Sequence, residues 1–131
     1  MRKVESQFGE GPLQQMLSVE GFHFLSDAEV TKGGSGTGPS PSEYLGAALA
    51  ACTSMTLKMY ASRKAMSLEN AIVTVDIERV EDVEIFTRDI QLIGNLNPED
   101  KERLIEIANK CPIHKSFSGA DPNKNPAYQL I

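Results

Sequence analysis

Cysteine is nearly absent from this 131-residue chain, which has two, Cys52 and Cys111. Two thiols leave room for one redox couple and nothing larger. Whether they meet in space decides between a thiol enzyme and an ordinary small α+β protein. An excess of basic charge is also missing. Thirteen basic against eighteen acidic residues give a net charge of -5, and no basic cluster is interleaved with aromatics. The chain therefore has no general attraction for a phosphate backbone or an anionic leaflet, and nucleic acid is excluded as a partner. Long apolar runs are lacking too. The longest uncharged stretch, Tyr44–Leu57, has fourteen residues and includes Thr53, Ser54 and Thr56. That is short of the roughly 20 residues a membrane span needs, so no membrane partner is expected. The start, Met1-Arg2-Lys3-Val4-Glu5-Ser6, turns polar at once and has no apolar core of a secretion signal. A cytoplasmic location with reduced thiols follows. The length suits one domain, residues 1–131.

What is present begins with a hairpin. Leu13, Met16, Leu17 and Val19 precede Glu20-Gly21, and Phe22 and Phe24 alternate after it. Thr31–Pro41 carries four glycines and two prolines and predicts a mobile loop without regular structure. A long helix follows. Ser40 or Ser42 can cap it, Pro41 suits its first turn, and Glu43 favours the positive end of its dipole. It runs to about Lys64, and the spacing of Leu45, Ala48, Leu49, Cys52, Met55, Thr56 and Met59 predicts one buried stripe. Gly46, Ala47, Ala48, Ala50 and Ala51 would let a helix or sheet approach closely.

Alternation over Asn70–Arg79 and again over Glu84–Ile93 predicts two antiparallel strands, with Arg88 keeping its head in water over its apolar stem. Asn97-Pro98-Glu99-Asp100 opens a second helix by the same capping logic. Leu104, Ile107, Ala108 and Cys111 share its inner face, and Pro112 is expected to stop it at Cys111. A turn over Asp121–Pro126 and a last strand at Tyr128–Ile131 close the chain.

A thiol reacts as its thiolate and needs a cation or a hydrogen-bond donor to reach that state at neutral pH. Cys52 lies deep in an apolar helix, with Lys58 and Arg63 the nearest charges in sequence, so buried packing and reactivity both stay open. Cys111 heads Cys111-Pro112-Ile113-His114-Lys115, which places an imidazole and an ammonium just past a helix end. Either could lower a thiol's pKa or act as an acid. A zinc site from Cys52, Cys111, His23 and His114 lacks any Cys-x-x-Cys or His-Glu-x-x-His organisation, so no metal is assigned. Gly33–Gly38 lacks the Gly-Lys-Ser/Thr ending of a phosphate loop, and no cofactor is expected. Glu43, Asp76, Glu78 and Glu84 read as solvated acids and not as a catalytic pair. His23, between Phe22 and Phe24, is expected to point outward.

Gly38-Pro39-Ser40-Pro41-Ser42-Glu43-Tyr44-Leu45-Gly46-Ala47-Ala48-Leu49-Ala50-Ala51-Cys52-Thr53, together with Cys111-Pro112-Ile113-His114-Lys115-Ser116, resembles the OsmC-like family of osmotically inducible and organic-hydroperoxide-resistance proteins. The resemblance runs from about Leu13 to Ile131. It implies an α+β fold, with a long central helix packed on curved antiparallel sheets and two chains intertwined in a homodimer. It also implies a thiol-dependent peroxidase or redox protein. The cysteine matching Cys52 attacks an organic hydroperoxide and becomes a sulfenic acid, the one matching Cys111 condenses with it, and a dithiol reductant restores both. Two departures stand out. The peroxidases' glutamate ten residues before the reactive cysteine is Ser42 here, with Glu43 one step and about 100° around the helix. Their N-terminal Gly-Gly-Arg is replaced by Gly9-Glu10-Gly11-Pro12, leaving Arg2 as the only arginine before the long helix. Glu43 and His114 are then the candidates for the acid-base role. The alternative is a non-peroxidatic member of the same fold that serves in stress or binds a small apolar ligand, its cysteines being packed thiols.

Overall fold

A computed structural model describes residues 2–118 and 128–130. The chain divides into two compact units, Met1–Leu45 and Gly46–Ile131. In the first, β1 (Val4–Phe8), β2 (Gln15–Val19) and β3 (Phe22–Ser26) form an antiparallel sheet in the order β1-β2-β3. The expected hairpin is β2–β3, turning through Glu20 (φ 45°) and Gly21 (φ 87°), the mirror-image turn that matches strand twist. The sequence had not suggested β1. Its five residues are all exposed, so no buried face marks it.

The glycine-rich segment is a bonded loop. A 3-10 turn spans Val30–Lys32, and the buried Asp27 carboxylate accepts from Ala28 N (2.7 Å), Thr37 N (3.1 Å) and Thr37 Oγ1 (2.6 Å). Gly34 lies so close to the Ala28 carbonyl that a Cβ would sit 2.1 Å from its oxygen. Only glycine lets the chain pass there.

The long helix, α1, spans Pro41–Arg63. Ser40 is its cap: Ser40 Oγ accepts from Glu43 N at 3.2 Å, and Ser40 N donates to Glu43 Oε1 at 2.9 Å, a reciprocal capping box. The buried stripe is not the expected one. Gly46, Leu49, Thr53, Leu57 and Ala61 face inward, while Leu45, Met55 and Met59 are exposed. Because leucine, alanine and methionine occupy nearly every side of α1, spacing alone could not choose the inward face.

In the second unit, β4 (Leu68–Val80) and β5 (Val83–Gly94) form the predicted antiparallel pair, joined through Glu81 and Asp82, both at positive φ. Ala71, Val73, Val75 and Ile77 are partly buried between exposed neighbours, as their alternation required. Gly46 gives α1 its close approach to this sheet: a Cβ there would lie 3.0 Å from Ile77 Cδ1 and 3.6 Å from Val75 Cγ1. Helix α2 (Pro98–Ala108) is capped by Asn97, whose side chain accepts from Asp100 N at 2.8 Å. It ends at Ala108 and not at Cys111, because Pro112 opens a further helix, α3 (Pro112–Ser118). The core has two parts. Leu57, Ala61, Leu104 and Ala108 join α1 to α2, and Leu49, Phe86 and Phe117 join α1 to β5 and α3.

The expectation of curved antiparallel sheets in an intertwined dimer is corrected here. The second sheet is mixed, since β6 (Tyr128–Leu130) runs parallel to β5. Sheets bend where bulges break their register. The β4–β5 register is regular from Asn70↔Ile93 to Val80↔Val83, with its irregularity at the Leu68/Asn70 end, so the bodies of the sheets are not curved. Both sheets and the long helix are formed by the residues of one chain. The last strand falls where it was expected, whereas the Asp121–Pro126 turn lies outside the described residues.

Candidate dithiol site

Three elements of the second unit converge on the two cysteines. Helix α1 carries Cys52, half-buried, immediately before the fully buried Thr53. Cys111 is fully buried in the link between α2 and α3, and its sulfur accepts the His114 backbone N–H at 3.4 Å. Both thiols are free, and Cys111 is one of the groups that act on the Cys52 thiol. Burial first, then the neighbouring Cys111 thiol, pushes the Cys52 pKa up, while the Ile113 backbone N–H works against the rise.

Strand β5 supplies the third member, Arg88. Phe86, Arg88 and Ile90 sit opposite Ile77, Val75 and Val73 and share the inward face of the hairpin. Half-buried Arg88 turns part of its head inward. Its Nη1 donates to Thr53 Oγ1 at 2.9 Å and to the Ala108 carbonyl at 3.0 Å, and its Nη2 donates to Asn109 Oδ1 at 2.6 Å. Burial lowers the arginine's pKa from its ordinary value, and the interaction with Cys111 opposes that shift. Sequence reasoning missed this role, though a signal existed: an arginine in phase with inward Phe86 and Ile90 must find acceptors inside.

His114 lies on α3 beside Cys111. Burial first, then the Arg88 charge, lowers its pKa, which favours the neutral imidazole. Cys52, Cys111 and His114 are thus brought together in one unit. Glu43 belongs to the other, where the Ser40 N–H and hydroxyl hold its carboxyl below the usual glutamate value. His23 is exposed on β3, as expected, in a cleft with Met16, Ser18 and Leu25. Among the described residues no group of three or more His, Cys, Asp or Glu could hold a metal ion, and no helix is long and apolar enough to cross a membrane.

The fold is α+β, with a long, small-residue helix that carries Cys52 and a second cysteine, Cys111, in the link between α2 and α3. Residues 34–123 match the family model described as OsmC-like protein, and the chain belongs to that family. Solved structures agree in fold. An osmotic stress induced and detoxification response protein of Psychrobacter arcticus is similar at 17% identity and a TM-score of 0.75, covering 100% of this chain and 96% of that one. An organic hydroperoxide resistance protein OsmC of Legionella pneumophila has 18% identity and a TM-score of 0.67, with coverage of 99% and 94%. An OsmC-like protein of Mycoplasma pneumoniae has 15% identity and a TM-score of 0.73, with coverage of 99% and 92%. Among curated proteins no sequence matches.

Proposed function

We propose that this protein is a cytoplasmic thiol-dependent reductase of organic hydroperoxides, acting in stress defence as a homodimer of single-domain chains. What supports the reading is that Cys52 on α1 and Cys111 between α2 and α3 belong to one unit, with Cys111 among the groups that shift the Cys52 pKa. The hydroperoxide-resistance role of the Legionella relative adds support. In the proposed cycle the Cys52 sulfur attacks the distal oxygen of the peroxide. An S–O bond forms, the O–O bond breaks, and the departing alkoxide takes a proton to become an alcohol. Cys111 then attacks the Cys52 sulfenic sulfur: an S–S bond forms, the S–O bond breaks, and hydroxide leaves as water with a proton. A dithiol reductant reopens the disulfide. His114, neutral and next to Cys111, is the better-placed candidate for proton transfer. Glu43 would have to leave its capping box to serve.

The homodimer is supported by α1 itself. Met55 and Met59 are 64% and 55% exposed, on the same outward face as the half-buried Cys52. A partner covering that face would enclose the thiols in an apolar pocket suited to a small hydroperoxide.

The test is consumption of an organic hydroperoxide by the reduced protein with a dithiol reductant, followed by intact mass and peptide mapping. Turnover lost in Cys52→Ser, with a Cys52–Cys111 disulfide in the unmodified protein, is the expected result. One observation favours a second reading: burial raises the Cys52 pKa and so disfavours its thiolate. Unchanged thiols and no turnover would favour a small-ligand-binding protein with packed cysteines.

A further inference from the structure

The first unit has a cleft of its own, formed by residues 7–25, whereas Cys52 and Cys111 belong to the second unit. Its volume of about 360 Å³ lies at the small end of the range for small-molecule sites. The strand register explains its floor. Gln7, Met16 and Leu25 stand in one row across β1, β2 and β3, and Glu5, Ser18 and His23 stand in the next. Because side chains alternate along a strand, these six share one face of the sheet. Five of them line the cleft, together with Leu17 and Phe24 of the intervening row, and Glu5 ends the second row beside it.

The polar groups of this face are idle. Among the described residues the side chains of Glu5, Gln7, Ser18 and His23 make no hydrogen bond or ion pair within the chain, whereas on the opposite face Ser6 Oγ donates to Gln15 Oε1 at 2.9 Å. Gln7, Ser18 and His23 each offer an acceptor atom beside Met16 and Leu25, which are 52% and 38% exposed. The charge around them has one sign. No lining residue is Lys or Arg. Lys3, before β1, and Glu20, in the β2–β3 turn, flank the same end of the sheet and offset one another, which leaves Glu5. An anion would meet a carboxylate there and no permanent cation. An ammonium group, with three N–H donors and no acceptor, complements the set.

We propose that this cleft is a ligand site separate from the thiols and that it takes an arylalkylamine, a primary ammonium on a small apolar body. The ammonium donates to the Glu5 carboxylate and to the Ser18 and Gln7 side-chain oxygens, and the ring lies on Met16 and Leu25. The flexible thioether of Met16 can adapt to an aromatic ring and make a favourable sulfur contact with it. Glu5 is exposed, so its charge is screened and contributes selectivity more than strength. With so few ligand atoms to bury, binding is expected in the millimolar range.

The test is a titration of the whole protein with phenylethylamine at about pH 8, above the ordinary imidazole pKa, followed by NMR of methionines labelled at the methyl carbon. The Met16 methyl signal, assigned through Met16→Leu, should shift to saturation at millimolar amine. Phenylethanol, the same body without the charge, and phenylpropionate, the same body with an acid, should each bind several-fold more weakly. Glu5→Gln should raise the dissociation constant about threefold, the scale of an exposed ion pair. Ser18→Val, which suits a strand but lacks the hydroxyl, should raise it about fivefold. Should Ser18→Val disturb the sheet by circular dichroism, Glu5→Gln decides, because that position is exposed. No saturable shift at tens of millimolar amine, a shift confined to Met55 or Met59, or binding indifferent to Glu5→Gln would overturn the proposal. So would an alcohol or acid that binds as tightly as the amine.

Discussion

At the scale of single residues, the buried polar groups are the ones with the most at stake. Asp27 is 3% exposed, and its hydrogen bonds to Thr37 lead the effects that hold its carboxyl below the ordinary 3.8. A carboxylate with a depressed folded-state pKa contributes stability that is present above its unfolded value and lost as pH falls through the folded value. Thermal midpoints measured downward from pH 5 should therefore fall with a steep component below about pH 3.8, and Asp27→Asn should flatten it. An equally steep fall in the variant would show that Asp27 is not the titrating group. Thr53 has no exposure and accepts the Arg88 bond. Thr53→Val keeps the shape but removes the acceptor, and should cost roughly 1.5–3 kcal/mol in urea unfolding, the usual worth of a hydrogen bond to a charged group. Thr53→Ser should retain that bond.

At the scale of elements, the helix starts and the inner faces of α2 and β4 were legible, whereas the inward face of α1 was not. Ser40 with Glu43, and Asn97 with Pro98 and Asp100, announced two helix starts, because capping is local chemistry between residues three apart. Which side of α1 turns inward is decided by the sheet beneath it, and a helix apolar nearly all round carries no such information. Pro112 was ambiguous in the same way. A proline can stop one helix or begin the next, and here the two lie three residues apart. Of the site, both cysteines and His114 were visible as residue types in suggestive company. Arg88 was not, because its role depends on Thr53, Ala108 and Asn109, which are distant in sequence. The β4–β5 hairpin offers a test of local backbone chemistry. Glu81 at φ 49° and Asp82 at φ 67° occupy left-handed positions that favour Asn-Gly. The double change Glu81→Asn and Asp82→Gly should stabilise the protein by about 1 kcal/mol by relieving that strain. A lower urea midpoint would contradict the account.

At the scale of the whole molecule, the question raised by α1 is what covers its outward face. Met55 and Met59 are four residues apart, one turn of helix, so they lie side by side in water as the isolated chain stands. Burying a methionine side chain is worth roughly 1.5–3 kcal/mol, and in a two-fold dimer each one counts in both copies. A 14.3 kDa chain should then sediment at twice its mass. The combined change Met55→Glu and Met59→Glu would place four carboxylates at the contact without touching the core clusters around Leu49 and Leu57. It should yield a monomer with unchanged circular dichroism. Cys52, half-buried on the same helix, would then be more open to solvent, and alkylation by iodoacetamide should quicken several-fold over the dimer. A wild-type protein that sediments as a monomer at micromolar concentration, or a variant that stays dimeric, would mean that the methionine face is not the contact. The reaction site would then be closed, if at all, by the chain's own residues.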